Sequence, residues 1–242
     1  MAVSPTVLAS GTVASGASSF NSASISPNSD EVIYACVAWN FVGDPGAEGD
    51  VISVSGNSLT WVRVAEVQVE RRRIGVFRAL GTATSGAVTF SEASAGDPQF
   101  RNQDYCIVQF ANASTGGTNG SGATGTPATG SATTGTSLGL TITGTPGAND
   151  ATFGYFGLED GATSVTSDTN WATLDNQTGN GDYAATKTDW DSGADLSPTW
   201  TWTNNARNMA IGFIVIAAAA GGGIVVNPFS GRGGAAANAL IA

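Results

Sequence analysis

Histidine is missing from this chain of 242 residues, lysine occurs once, at Lys187, and cysteine occurs twice. Without histidine, neither a Ser-His-Asp nor a Cys-His arrangement for nucleophilic catalysis can be built. The same shortage of ligands nearly excludes a zinc site of the usual kinds. Among the 19 acidic residues no motif selects a carboxylate pair of the kind that glycosidases use. We therefore expect a protein that is not an enzyme and has no cofactor.

Charged residues are also scarce, at 12% of the chain, which is about half the usual share. The formal net charge of −10 argues against a nucleic-acid partner, because phosphate binding needs clustered Lys and Arg. The one basic cluster is Arg71-Arg72-Arg73. It is interpreted as a solvated hairpin tip, and the alternative is a contact with an acidic neighbouring subunit.

No apolar run reaches the roughly 18 residues of a membrane span. The longest candidate, residues 209–220, has twelve residues and contains Gly212. The first twenty residues lack the basic segment and the sustained apolar core of a secretion signal. These features predict a soluble protein that is made in the cytosol and has no membrane partner.

What the chain does have is glycine, at 33 residues, with abundant Ser, Thr and Ala and with short runs of β-branched and aromatic residues. Residues 32–40, Val-Ile-Tyr-Ala-Cys-Val-Ala-Trp-Asn, predict a strand that is buried on both faces. We expect an all-β fold, an antiparallel and jelly-roll-like β-sandwich. Cys36 and Cys106 lie in apolar strand patterns and are interpreted as buried free thiols, with a disulfide as the alternative.

A second set of elements follows the order of the first. Four pairs of residues mark it: Val32 and Ala151, Trp61 and Trp171, Phe90 and Trp200, and Ile107 and Ile211. The pattern predicts a β-sandwich domain over residues 1–217 with pseudo-repeated halves, 1–112 and 137–217, that close face to face. Duplication and the shared needs of β-meanders are both open as the cause. The Ser/Thr/Gly/Ala-rich segment 113–136 is interpreted as a loop that lies on the fold, with a free linker as the alternative.

Two stretches are candidate sites. Asp189, Asp191 and Asp195 have the oxygen-rich spacing of a calcium loop, although an ordinary turn explains them as well. Trp190 beside them is the best candidate for an exposed aromatic side chain that could bind a glycan.

The tail, residues 218–242, is interpreted as a Gly/Ala-rich arm that docks on another subunit, with packing on its own sandwich as the alternative. The predicted partner-binding residues of this arm are apolar: Ile224, Val225, Val226, Pro228, Phe229, Leu240 and Ile241.

The runs Val32–Trp39, Ser55–Val62, Ile74–Leu80 and Cys106–Phe110 resemble a β-sandwich module of tailed-phage virion proteins, and so does the second half, with Thr199-Trp-Thr-Trp before Met209–Phe213. The likeness spans roughly residues 30–217. It implies a virion component, most simply a capsid decoration protein whose partners are the major capsid protein and copies of itself. The alternatives are a carbohydrate-binding receptor module of a tail fibre and, third, a glycosidase on a similar sandwich.

Overall fold

The computed structural model describes residues 1–13, 18–41, 52–92, 100–159, 164–180, 183–193 and 195–219. These residues form fifteen strands and one 3-10 turn, Thr118–Ala123, so the all-β prediction is confirmed. The strands are β1 (Ser4–Val13), β2 (Ser19–Asn21), β3 (Val32–Phe41), β4 (Ile52–Gly56), β5 (Val62–Val69), β6 (Arg72–Ala79), β7 (Val88–Glu92), β8 (Phe100–Ala111), β9 (Ala128–Ala132), β10 (Ser137–Gly139), β11 (Ala151–Glu159), β12 (Ala172–Asn180), β13 (Tyr183–Asp191), β14 (Thr199–Thr201) and β15 (Asn208–Val215).

The strands build four layers of antiparallel sheet. The first inner sheet has the order β1-β8-β3-β6-β5, and the second inner sheet has the order β12-β13-β11-β15-β9. These two sheets pack face to face through a shared core. The first outer sheet, β2-β7-β4, covers the other face of the first inner sheet, and the second outer sheet, β10-β14, covers that of the second. The predicted sandwich is therefore present, with an additional sheet on each side.

Strand β3 shows why the inner sheets are apolar on both faces. Tyr34, Cys36 and Ala38 belong to the core between the inner sheets, while Ile33 and Val37 belong to the core beneath the first outer sheet. Because successive side chains of a strand point to opposite faces, such a strand can be apolar throughout only when both faces are covered. Every residue of β11 is buried in the same way.

Aromatic rings fill the core between the two inner sheets. Tyr34 and Phe110 of the first sheet meet Phe153 and Phe213 of the second, with ring centroids 5.0 Å apart for Tyr34 and Phe213 and 5.5 Å apart for Phe110 and Phe153. All four side chains are fully buried. Each contributes roughly 1.5–3 kcal/mol by leaving water, so this core is the main attachment between the halves of the chain.

The two inner sheets have the same strand order when the strands of each are numbered along the chain. The corresponding strands are β1 and β9, β3 and β11, β5 and β12, β6 and β13, and β8 and β15. The contacts between the sheets are reciprocal too, since β1 lies against β12 as β9 lies against β5. The four residue pairs in the sequence fall on or beside equivalent strands. Duplication of a half and the jelly-roll-like description both stay predictions.

The Ser/Thr/Gly/Ala-rich segment after β8 is ordered and crosses from the first half to the second. The hydroxyl of Tyr34 lies 2.8 Å from that of Thr124, and the guanidinium of Arg78 donates to the Asn119 carbonyl and to Thr124. Gly120, at φ +74°, passes so close to Leu80 that an added Cβ would lie 3.1 Å from it. Part of the segment forms strand β9, which was expected to be loop.

Cys36 and Cys106 are buried free thiols that face each other across β3 and β8. Burial raises the pKa of both thiols, and the nearness of Cys106 raises that of Cys36 further. Because the thiolate is the reactive form, both groups should be inert in the folded chain.

We expect a soluble disulfide reagent to modify neither thiol in the native chain, with rates on the order of a hundredfold or more below those of the chain unfolded in urea. A Ser53→Cys variant is the control, because this side chain is exposed on β4. It should add one thiol that reacts promptly without denaturant. Rapid native labelling of two thiols in the unaltered chain would contradict the buried pair.

Candidate functional site

Charged side chains of the two halves meet at the tip of the β5–β6 hairpin. The tip is a two-residue connection, Glu70–Arg71, in which Glu70 adopts a left-handed conformation at φ 50°. A residue with a β-carbon pays about 1–2 kcal/mol for this conformation. The conformation places Glu70 beside Arg207, which precedes β15.

Four residues form an ion-pair cluster that joins the halves: Glu70 and Arg72 from the first half, Glu159 and Arg207 from the second. Glu159 accepts from Arg207 at 2.8 Å and also pairs with Arg72, while Arg207 reaches Glu70 at 2.9 Å. The interpretation of Arg71-Arg72-Arg73 as a solvated hairpin tip is thus wrong for two of its members. Arg72 pairs with Glu159, and the buried Arg73 pairs with Glu66.

Glu159 is the centre of this cluster. It ends the apolar strand β11 and is only 5% exposed, so its charge needs partners that replace water. Two guanidinium groups supply them, and the hydrogen bond to Glu159 raises the pKa of Arg207 above its ordinary value. The cluster contains two acids and two bases and is therefore electrically neutral.

Next to the cluster lies a groove between the halves, made of two adjoining depressions of about 530 Å³ and 370 Å³. We call it the inter-half groove. Thr133 and Thr134 line both depressions. The first depression also includes Gln68 and Glu70, and the second includes Asn205 and Arg207.

Three polar side chains of this groove are free to bind a ligand. Thr133, Thr134 and Asn205 are exposed, and none of them makes a side-chain hydrogen bond within the described part of the chain. Their hydroxyl and amide groups both donate and accept. Glu70 and Arg207 add partly exposed edges of a carboxylate and a guanidinium, with side chains 47% and 34% exposed. The groove therefore offers many hydrogen-bonding groups and no net charge.

Two of the three aspartates of the candidate calcium loop bind indole rings, and the third binds backbone N–H groups. Asp189 is fully buried and accepts from the Trp200 indole at 2.8 Å and from Ser167. Asp195 accepts from the Trp171 indole at 3.3 Å. Asp191 accepts from the backbone N–H groups of Gly193 and Asp195, as an aspartate in a tight turn does.

The two rings, Trp171 and Trp200, lie edge to face with centroids 6.0 Å apart. They pack against Gly154 of β11, where an added Cβ would come within 2.9 Å of Trp200. Among the described residues, no three His, Cys, Asp or Glu side chains are grouped so that they could hold a metal ion. The calcium site stays a prediction. The hydrogen bonds that these carboxylates accept from indole and backbone N–H groups do not favour it.

No tryptophan forms an exposed platform for a glycan. Trp190 is half-buried and packs against the core between the inner sheets. Trp39, Trp171, Trp200 and Trp202 are buried and Trp61 is half-buried. Trp190 is therefore not the exposed aromatic side chain that the sequence suggested.

The seven predicted partner-binding residues of the tail, from Ile224 to Ile241, lie outside the described residues. The groove residues, in contrast, were missed by the sequence reasoning. Thr133 and Thr134 are hidden within a low-complexity segment, and Asn205 stands in a turn of similar residues. The only available signal was Glu159, a lone acid at the end of an apolar strand.

Comparison of the chain with protein-family models, with curated proteins and with solved structures found no match. In the described part of the chain, no helix has the length and apolar character needed to cross a membrane. The fold and the groove are therefore interpreted from the chain's own residues.

We expect Glu159→Gln to lower the free energy of unfolding by about 1.5–3 kcal/mol, because the nearly buried carboxylate that the partly exposed Arg72 and Arg207 share loses its charge. Arg63→Ala is the matched control. It removes an exposed pair with Glu66 and should cost about 1 kcal/mol or less. Urea unfolding of the three proteins measures both values, and equal losses would contradict the central role of Glu159.

Burial raises the pKa of Asp189, while hydrogen bonds from Ser167 and Trp200 act in the opposite direction. The folded chain therefore binds a proton at Asp189 more readily than the unfolded chain does. As the pH falls from neutral toward the unfolded pKa of about 4, the folded state gains stability from this group.

The stability of the unaltered chain relative to Asp189→Asn should accordingly increase as the pH is lowered through this range. Urea unfolding at several pH values measures the difference. Asp30→Asn, at an exposed position, controls for the loss of one carboxylate. A difference that stays constant, or moves in favour of Asp189→Asn at acid pH, would show that burial does not dominate at Asp189.

Proposed function

We propose that this chain is a structural component of a tailed-phage virion, and specifically a decoration protein on the capsid exterior. It acts by binding neighbouring protein surfaces, and its partners are the major capsid protein and copies of itself. The resemblance of residues 30–217 to a virion β-sandwich module supports the class. The outer surfaces of the molecule support the binding role.

The observation that carries the proposal is the chemistry of the two outer sheets. Each turns a row of short, uncharged side chains outward, on opposite sides of the molecule. In the first outer sheet the row across the strands is Ser19, Ser91 and Ser53, followed by Asn21, Thr89 and Ser55. In the second, Ser137 pairs with Thr201, which in turn bridges to Thr166.

Surfaces of this kind suit extended contact with another protein. Burying a charge is costly unless it is paired, whereas hydroxyl groups can find partners on a neighbouring backbone or in bridging water. Most of the described ion pairs lie in the cluster between the halves and around Glu66, and none of those pairs involves a strand residue of the outer sheets. A rigid body with two chemically similar faces could bridge neighbours in a regular shell.

The anchoring element in this proposal is the apolar tail after residue 219. The last described residues are held by the body, since the backbone N–H of Ala218 donates to Asn112 and that of Ala217 donates to Asp150. A chain that ends at Ala219 keeps these bonds and every described strand. It therefore separates the body from the tail.

We expect the full chain to sediment with purified capsids of the phage that encodes it, in a saturable manner, and the chain ending at Ala219 to bind at least about tenfold more weakly. Phe229→Asp in the full chain should weaken binding in the same direction, because the apolar contact would have to desolvate a charge.

Ser192→Asp, at an exposed position directly after β13, is the control for an added charge and should bind as the full chain does. If the full chain does not bind capsids, the decoration role is wrong. If the shortened chain binds equally well, the body rather than the tail is the anchor, and the outer sheets become the residues to test.

The alternative function is a carbohydrate-binding module of a tail fibre. Its aromatic form is not supported, since the tryptophans are buried or half-buried. Its polar form has a specific candidate site in the inter-half groove.

A further inference from the structure

We propose that the inter-half groove binds a neutral carbohydrate, a pyranoside with adjacent free hydroxyl groups. The proposal does not depend on the capsid role, because it concerns a different surface from the outer sheets and the tail. It rests on the charge balance of the walls, on their exposed polar groups that make no internal hydrogen bond within the described residues, and on the size of the groove.

The charge balance narrows the class of ligand. An anionic ligand would need a cation that lacks a partner, yet Arg207 already binds Glu159 and Glu70. A cationic ligand would need a free carboxylate, yet Glu159 is shared by two guanidinium groups. The walls contribute few apolar side chains, with Val69, Ala132 and Ala206 as the exceptions. The class of ligand that fits these walls is therefore neutral and rich in hydrogen-bonding groups.

The geometry of the polar groups favours hydroxyl groups on that ligand. The carboxylate of Glu70 and the guanidinium of Arg207 are held side by side with part of each edge exposed, so that one can accept and the other can donate to a pair of adjacent hydroxyls. Thr133 and Thr134 stand on the shared wall, and Asn205 faces the second depression. All three lack internal partners within the described residues. A pyranoside supplies donors and acceptors together, as these groups do.

Part of the groove is held in place by ion pairs and strand pairing, while Thr133, Thr134 and Asn205 lie in the segments beside β9 and β15. Its charged wall is fixed by the bonds between Glu159, Arg72 and Arg207, and its other wall continues from β9, which pairs with β15. A site that is already ordered loses little conformational freedom on binding. Its depressions of about 370 Å³ and 530 Å³ are within the range of small-ligand sites. Because both are open and lack an aromatic face, we expect weak, millimolar binding.

The experiment is titration of the full chain, labelled with ¹⁵N, with four neutral ligands: the methyl glycosides of glucose, mannose, galactose and N-acetylglucosamine. Amide chemical shifts are followed at each addition. We expect at least one glycoside to shift the amides of residues 131–134 and 205–207 in a saturable manner. Inorganic phosphate, the anionic probe, should not shift them.

Two substitutions remove hydrogen-bonding groups from the walls, Thr134→Val and Asn205→Ala. Each should raise the Kd by roughly tenfold, the effect of losing about 1.4 kcal/mol. Both positions are exposed, so the variants should fold. Thr6→Val is the matched control, since Thr6 is exposed on β1, away from the groove, and its Kd should not change.

Three results would overturn the proposal. The first is that no glycoside shifts the groove amides at concentrations of tens of millimolar. The second is that phosphate shifts them and the glycosides do not, which would make the site anionic. The third is that Thr134→Val and Asn205→Ala bind a glycoside as tightly as the unaltered chain does, which would place the binding elsewhere. None of these results bears on capsid binding, so the two proposals can fail separately.

Discussion

The contact between the two inner sheets is the interaction on which the rest of the structure depends. Tyr34, Phe110, Phe153 and Phe213 form an aromatic core that neither half could cover alone. Once this face is buried, the opposite face of each inner sheet is left apolar and needs a cover of its own. The outer sheets provide it, with Phe90 packed against Tyr105 on one side and Phe156 stacked on Trp200 on the other. The four layers therefore follow from strands that are apolar on both faces.

The inner strands could be read from the sequence because their signal is local. Residues 32–40 and 151–158 have no polar face, and only a strand between two covers tolerates that pattern. The correspondence of Trp61 with Trp171 and of Phe90 with Trp200 in the sequence also identified strands at equivalent places in the two halves. Short edge elements carried much less information. Strand β9 consists of Ala, Thr, Gly and Ser, and its place is set by pairing with β15 and not by its own composition.

The ion-pair cluster could not be read from the sequence, for a physical reason. A run of three arginines is typical of a solvated surface, and only the fold brings Glu159 to Arg72 across more than eighty positions of the chain. The same holds for the groove, whose walls come from residues 68–70, 131–134 and 205–207. Separate segments of ordinary composition become a site only where the two halves meet. The tail differs from the cluster and the groove, because its apolar residues are contiguous enough for the sequence alone to suggest a binding role.

The shared strand order of the two inner sheets has a consequence for how the chain folds during synthesis. The first inner sheet is complete only when its edge strand β1 has paired with β8, a pairing that begins with Ser4 opposite Ala111. Its inner face is then covered completely only when β15, more than a hundred residues later, has left the ribosome. Contacts this distant in sequence make folding slow and leave apolar surface exposed meanwhile. Where several chains are made close together, neighbouring nascent chains would present the same uncovered face, so the rate of synthesis and the concentration of chains should influence the yield of folded molecules.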